Sequence, residues 1–293
     1  MPVSAAQRRL AFKDLLASPE PLLLPGAYDV LSAHLVERAG YPATYLGSFA
    51  AAASLQGLPD VGLVTLTELA DAARRIVEAT DLPVLVDAEK GFYEDANIWR
   101  TVRAFEAAGT TGIHIEDNLG GKHTSRPAGL LDADRMANRI RAALDARDDA
   151  NFLIIARTDA AWIHGDLEEA VARLRRYVAA GADMVFAPKI PAADLKKVRS
   201  CIEAPVVVAA DLYDAPDGSK PGSTLAEYAD AGADVLLLWY SLVGAAAKAV
   251  ADTLDALAYG AEIEGLGDLV LDQRTFESFM GYAEYEARAS RYA

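Results

Sequence analysis

The chain has 293 residues, 52% of them hydrophobic, which is ample for one large core. A formal net charge of −15 weighs against a nucleic-acid or anionic-membrane surface, since either calls for a basic face. Cys201 is the single cysteine, which excludes an intrachain disulfide framework and a cysteine-based zinc site. Met1 to Leu10 carry no apolar signal core, and no apolar run approaches the roughly 18 residues of a membrane span, so the expectation is a cytoplasmic, soluble protein.

Eight short apolar runs read as strands in chain order, at 22–24, 44–47, 84–88, 112–116, 152–157, 184–187, 206–209 and 235–239. Amphipathic stretches at 29–39, 67–79, 95–108, 133–146, 167–180, 192–202, 223–231 and 242–257 follow them as helices. Four of these helices run into an Ala-Gly pair, at Gly40, Gly109, Gly181 and Gly232, the usual way to end a helix in a left-handed turn. Eight alternations without a composition break predict one α/β chain, a single (β/α)8 barrel over 1–258, with a C-terminal helical extension over 259–293. A doubly wound open sheet is the alternative, but it leaves the eighth unit without a place. The loop 118–129 (NLGGKHTSRPAG) is long, polar and glycine-rich, and reads as a lid at the C-terminal rim. A further helix over 273–292 carries Phe276, Phe279, Tyr282 and Tyr285, an apolar surface for another subunit or for its own barrel.

Barrels of this kind carry their chemistry at the C-terminal ends of the strands. Strand three ends in Asp87-Ala88-Glu89 and strand four in Glu116-Asp117. Alternation along an extended strand sends Asp87 and Glu89 to one side, and Glu116 on the neighbouring strand can reach the same point. Three carboxylates there repel unless a cation neutralises them. Mg2+ suits such a site, Mn2+ equally so from spacing, and the competing reading is a salt-bridge network. Arg157 closes strand five and offers a two-pronged fork for a substrate carboxylate or phosphonate, or else pairs with Glu116 or Asp117. His114 lies inside strand four and reads as a packed histidine, whereas His123 in the lid is a candidate for proton transfer.

Pro25-Gly26-Ala27-Tyr28-Asp29, Gly57-Leu58-Pro59-Asp60, Val86-Asp87-Ala88-Glu89-Lys90-Gly91-Phe92, Ile115-Glu116-Asp117 and Ala156-Arg157-Thr158-Asp159-Ala160 stand in an order that resembles the isocitrate lyase/phosphoenolpyruvate mutase superfamily. The resemblance covers most of the barrel and implies Mg2+, a pyruvate-like enolate held on the metal, and 2-hydroxy or 2-keto acid substrates. It also implies a tetramer, built as a dimer of dimers, whose subunits exchange C-terminal helices. Carried over by position, Asp87, Glu89 and Glu116 are metal carboxylates, with Glu89 where the family has Asp. Arg157 binds substrate, Asp60 sits near the reacting centre, and Tyr45, Gly47, Ser48 and Phe49 line the substrate site, with Phe49 where the family has Gly.

The lid reads Lys122-His123-Thr124-Ser125, without the cysteine acid of the lyases, and this weighs against isocitrate and methylisocitrate cleavage. The first expectation is a Mg2+-dependent lyase that breaks a C–C bond, by decarboxylation among other routes, in a small 2-keto or 2-hydroxy carboxylate. The second is P–C bond chemistry of the phosphonopyruvate hydrolase or mutase type, with Lys122 and Thr124 over the substrate. The third is a non-catalytic binding barrel.

Overall fold

The computed structural model describes residues 3–210, 222–258 and 267–293. Its chain order is α1 (Ala5–Leu16), β1 (Leu22–Pro25), α2 (Val30–Arg38), β2 (Thr44–Leu46), α3 (Ser48–Ala51), α4 (Leu66–Ala79), β3 (Val84–Asp87), α5 (Trp99–Ala107), β4 (Gly112–Glu116), α6 (Ala133–Ala146), β5 (Leu153–Arg157), α7 (Ala160–Ile163), α8 (Leu167–Ala179), β6 (Met184–Phe186), α9 (Ala192–Arg199), β7 (Val206–Ala209), α10 (Leu225–Asp230), β8 (Val235–Leu238) and α11 (Ser241–Ala258). Two further helices, α12 (Gln273–Phe279) and α13 (Tyr282–Ala289), complete it. All eight expected strands form, and Gly40, Gly109, Gly181 and Gly232 all take positive φ. At Gly109 a side chain would be both left-handed, at φ 82°, and 2.9 Å from Val77, so the turn into β4 admits only glycine.

The strands pair in parallel in the order β1-β8-β7-β6-β5-β4-β3-β2. Between β1 and β2 the ring is joined by a bridge from Gly26 to Tyr45 and by the Thr44 hydroxyl donating to Pro25 O at 2.8 Å. The result is a (β/α)8 barrel. Inward positions follow the strand alternation: Leu22 and Leu24, Tyr45, Leu85, Leu153 and Ile155, Met184 and Phe186, Val207 and Ala209, Val235 and Leu237 fill the interior. Their neighbours, such as Val84, Val86, Ile113, Ile154 and Ala156, pack outward beneath Leu69, Phe105 and Met136 of the helices.

Helix α1 has no counterpart among the expected elements. Its Ser4 capping box with Gln7 is legible, but charged residues interrupt the apolar period. Phe12 is fully buried among the barrel-interior side chains. Arg8 donates to Val77 O at 2.9 Å and Thr80 O at 2.6 Å, and Arg9 donates to Thr110 O at 3.0 Å and Glu106 O at 2.8 Å. These carbonyls precede β3 and β4, so α1 seals the N-terminal mouth.

Two compact units divide the chain, Met1–Leu242 and Val243–Ala293. In the second, the expected continuous helix over 273–292 is two helices instead, because Gly281 takes φ 77° between them. None of its described residues is buried, and Val250, Leu254, Leu257, Tyr282 and Tyr285 are all exposed.

Phe12→Ala should lower the free energy of unfolding by about 3–5 kcal/mol, the range for truncating a fully buried aromatic residue. Denaturant unfolding checks this; a loss below about 1 kcal/mol would mean that α1 does not seal the barrel.

Candidate active site

The alternation that points Leu85, Gly112 and Leu153 inward carries on to Asp87, to His114 and Glu116, and to Arg157. Arg157 stands directly opposite Glu116 in the β4–β5 ladder, with Nη1 3.2 Å from Glu116 Oε2 and 3.9 Å from Asp87 Oδ2. Its other nitrogens are held by Asp159, at 2.7 and 3.2 Å, and Asn118 orients Asp159 through a 2.9 Å bond. Ser48, at the head of α3, donates to either Asp87 Oδ2 at 3.0 Å or Asp60 Oδ1 at 3.1 Å.

The cation among the carboxylates is Lys122. The 118–129 loop is pinned at its base by backbone bonds from Leu119 to Gly129 O and from Ala128 to Gly120 O, and it folds its lysine into the barrel mouth. Lys122 Nζ lies 2.9 Å from Glu89, 3.4 Å from Glu116, 3.5 Å from Asp60 and 4.0 Å from Asp87, with 4% of the residue exposed.

Several expectations need correction. Glu89 reaches the site by a different route, because β3 ends at Asp87 and Glu89 turns back with φ 52°. Strand alternation therefore does not place it. Thr124 does not stand over the cavity; it is exposed, and its hydroxyl donates to Gly121 O at 2.7 Å inside a turn. Asp117 points away from the site, since alternation after Glu116 sends it toward α8, where Tyr177 donates to it at 2.7 Å and Arg173 stands at 3.2 Å. The fork of Arg157 is engaged by Asp159 and never meets Asp117. His114 is the packed histidine expected: it is fully buried, with Nε2 2.9 Å from the Tyr45 hydroxyl.

Burial is the largest influence on every charge here. It pushes Glu89 up to about 7, with Asp87 and Asp60 adding to the rise and Lys122 opposing it. Glu116 is raised well above the carboxylate range by burial against the pull of Arg157 and Lys122. Burial also works against Asp87, yet its pKa is lowered; with His114 neutral at pH 7, Lys122 and Arg157 carry that shift. For Lys122 burial is outweighed by Glu116, Asp87, Glu89 and Asp60, so the ammonium stays protonated.

Above this charged floor the wall is aromatic. Phe49 meets Trp239 edge-on at 5.1 Å between ring centres, and His123 meets Trp162 at 4.9 Å. His123 Nε2 lies 3.4 Å from Asp60 Oδ2. These residues, with Tyr45, Gly47, Phe186 and Lys189, enclose a cavity of about 50 Å³. One water needs roughly 10–15 Å³ on such a measure, so the space suits a small acid.

The family model of phosphoenolpyruvate phosphomutase matches residues 12–258. The chain belongs to the isocitrate lyase/phosphoenolpyruvate mutase superfamily. Among relatives in that superfamily, 2-methylisocitrate lyase of Shewanella oneidensis is 33% identical over 280 residues, 94% of each chain. Oxaloacetate decarboxylase of a Bradyrhizobium strain is 35% identical over 272 residues, 91% of this chain and 92% of its own. The crystal structure of a phosphonopyruvate hydrolase complex with oxalate and Mg++ superposes with a TM-score of 0.84 at 25% identity, over 99% of both chains.

The superfamily implies a metal, and the donor chemistry here suits a hard divalent ion. Asp87, Glu89 and Glu116 offer only oxygens, and Glu89 Oε1 is buried without a protein hydrogen-bond partner. Among the described residues no three such side chains are already spaced as ligands, and the Lys122 ammonium stands in their midst.

Site residues that sequence reasoning missed are Asp159 as the clamp on Arg157, the walls Trp162, Phe186 and Trp239, and Lys189. Lys189 and Trp239 come just after β6 and β8, so the strand-end rule was the available signal.

Burial holds the His114 pKa at about 4 against an ordinary 6.5, with Asp87 opposing. A depressed histidine binds its proton in the unfolded chain first, so its contribution is complete above pH 6.5 and is lost as pH falls toward 4. Between pH 7 and 5 the wild type should therefore lose about 2 kcal/mol more stability than His114→Gln. Equal losses in paired denaturant titrations would mean that folding does not depress the His114 pKa.

Proposed function

We propose that this chain is a divalent-metal-dependent lyase that breaks a C–C bond of a small 2-oxo or 2-hydroxy carboxylate, by decarboxylation among other routes, to give a pyruvate-like enolate. The observation that carries the reading is the floor of the cavity, where Arg157 and Lys122 converge on Asp87 and Glu116 at the strand ends. Preorganised cations in a water-poor cavity stabilise negative charge that develops on substrate oxygens. The names of the relatives support the same class, since they include a 2-methylisocitrate lyase and an oxaloacetate decarboxylase.

Asp87, Glu89 and Glu116 would hold the ion, Mg2+ or Mn2+, which when bound polarises substrate oxygens as a Lewis acid. Arg157, locked by Asp159, orients the carboxylate, and Lys122 adds a second positive charge. Phe49, Trp162 and Trp239 exclude water from the cavity. As the C–C bond breaks, its electron pair passes into the enolate. We assign the proton transfer to His123, whose Nε2 lies 3.4 Å from Asp60 Oδ2. The exposed apolar residues of α11 and α13, among them Val250, Leu254 and Tyr285, support assembly with further copies of the chain.

P–C bond chemistry is the less favoured reading, because of the two lid residues on which it leaned only Lys122 lines the cavity, while Thr124 spends its hydroxyl on Gly121 O. A non-catalytic barrel leaves the buried, unpartnered Glu89 oxygen without a use.

With Mg2+ supplied, a screen of oxaloacetate, 2-methylmalate-type acids, methylisocitrate and phosphonopyruvate should yield pyruvate from a carbon acid and no phosphate. Phosphate release from phosphonopyruvate would overturn the C–C assignment. On whichever acid is cleaved, Arg157→Lys should lower kcat/KM by about 100- to 1,000-fold, because a point charge cannot replace the fixed fork, while Thr124→Ala should change it by less than about threefold. Unaltered kinetics in Arg157→Lys would assign Arg157 to structure alone.

A further inference from the structure

Lys122 stands among the carboxylates as an ion would, rather than as the partner of one of them. Its ammonium lies 2.9 Å from Glu89, 3.4 Å from both oxygens of Glu116, 3.5 Å from Asp60 and from the Ser48 hydroxyl, and 4.0 Å from Asp87. Only the Glu89 contact falls within the usual hydrogen-bond range of about 2.7–3.2 Å. The rest of the attraction is that of a compact point charge placed centrally, which a lysine supplies and the planar fork of an arginine does not. Asp87, Glu89 and Glu116, the residues assigned to the divalent ion, make up most of this shell.

The same contact anchors the loop. Of residues 121–128 only Lys122 is buried, and those that follow it are exposed. The Thr124 N–H and the Arg126 N–H bond within the loop, to Gly121 O at 3.1 Å and to the Thr124 hydroxyl at 3.2 Å. The ties of the tip to the barrel mouth are Lys122 and His123, which reaches Asp60 and the aromatic wall. Gly121 takes φ 70° just before the lysine, so the tip can turn there while the backbone bonds at Leu119 and Gly120 hold the base.

We propose that Lys122 is an internal competitor of the divalent ion: it must leave the carboxylates, taking the tip of the 118–129 loop with it, before the ion is held there. A second cation set among Asp87, Glu89 and Glu116 would face the ammonium at close range, and like charges repel strongly where water is scarce. A small hard ion also keeps several of its waters and needs the room that the lysine chain takes. The inference rests on the metal assignment of the lyase reading and adds an order to it. The ion enters first, and the freed ammonium then meets negative charge on the substrate.

Trypsin reads the exchange directly. Arg126 is followed by Pro127 and is a poor tryptic site, so Lys122 is the cleavage point of the loop. After divalent ions are removed by dialysis against EDTA, the buried Lys122 should resist trypsin. Saturating Mg2+ should then speed cleavage after it by about 10-fold or more, since cleavage follows the open population. Lys122→Met keeps an unbranched chain without the charge. Calorimetric titration should show it binding Mg2+ about 10- to 100-fold more tightly than the wild type, because no fraction of it is held in the blocked form. Cleavage that slows or stays constant with Mg2+, or a Lys122→Met affinity equal to or below that of the wild type, would overturn the proposal. The proteolysis uses the wild type alone, so it decides even where the variant does not fold. Failure of both proteins to bind Mg2+ would sink the metal assignment as well, whereas Mg2+ binding with Lys122 still protected sinks this inference only.

Discussion

Four carboxylates buried at one end of a barrel cannot all stay charged without cations among them, and much of this site follows from that constraint. Removing a charge from water costs several kcal/mol even after relaxation, and the cost is offset only where opposite charges and hydrogen bonds are close. Lys122 and Arg157 meet it from different directions, one reaching in from a loop and the other rising from β5. The 118–129 loop is consequently held by electrostatics at its tip and by backbone bonds at its base. Asn118, at the start of that loop, orients Asp159, which fixes Arg157, so the two cations are linked through one short chain of polar contacts.

The same region stores backbone strain. Glu89, His123 and Lys189 all adopt left-handed conformations without being glycine, while the barrel strands around them are regular. Each lies just past a strand or within the loop that covers the strand ends, where the ladder no longer dictates the backbone. On the far side of β4, Asp117, Tyr177 and Arg173 form a buried network that ties the strand to α8.

The strands were legible because each is a short, continuously apolar run after a turn, and Asp87, Glu116 and Arg157 were legible because they end such runs. Glu89 reached the right place by an unforeseen path, since a positive φ on glutamate leaves no pattern in the sequence. Thr124 was misplaced because a turn around Gly121 captures its hydroxyl, and local capture of this kind depends on loop geometry. Helix α1 escaped notice because charged residues break its apolar period, and Arg8 and Arg9 are in fact buried and bonded to carbonyls of other segments. Trp162 stands in the short helix α7, Lys189 just after β6 and Trp239 just after β8, and only closure of the ring brings them to one wall.

The chain contains three tryptophans, and their distribution gives the protein a built-in optical readout. Trp162 and Trp239 both lie against His123, on the loop that carries Lys122, whereas Trp99 is 53% exposed at the start of α5. Indole emission shifts with the polarity of its surroundings and is quenched by a neighbouring imidazolium. Any movement that draws His123 away from the barrel mouth would uncover two of the three emitters together while leaving the third unchanged. The position of the loop is therefore written in the native fluorescence of the chain, and no label is required to follow it.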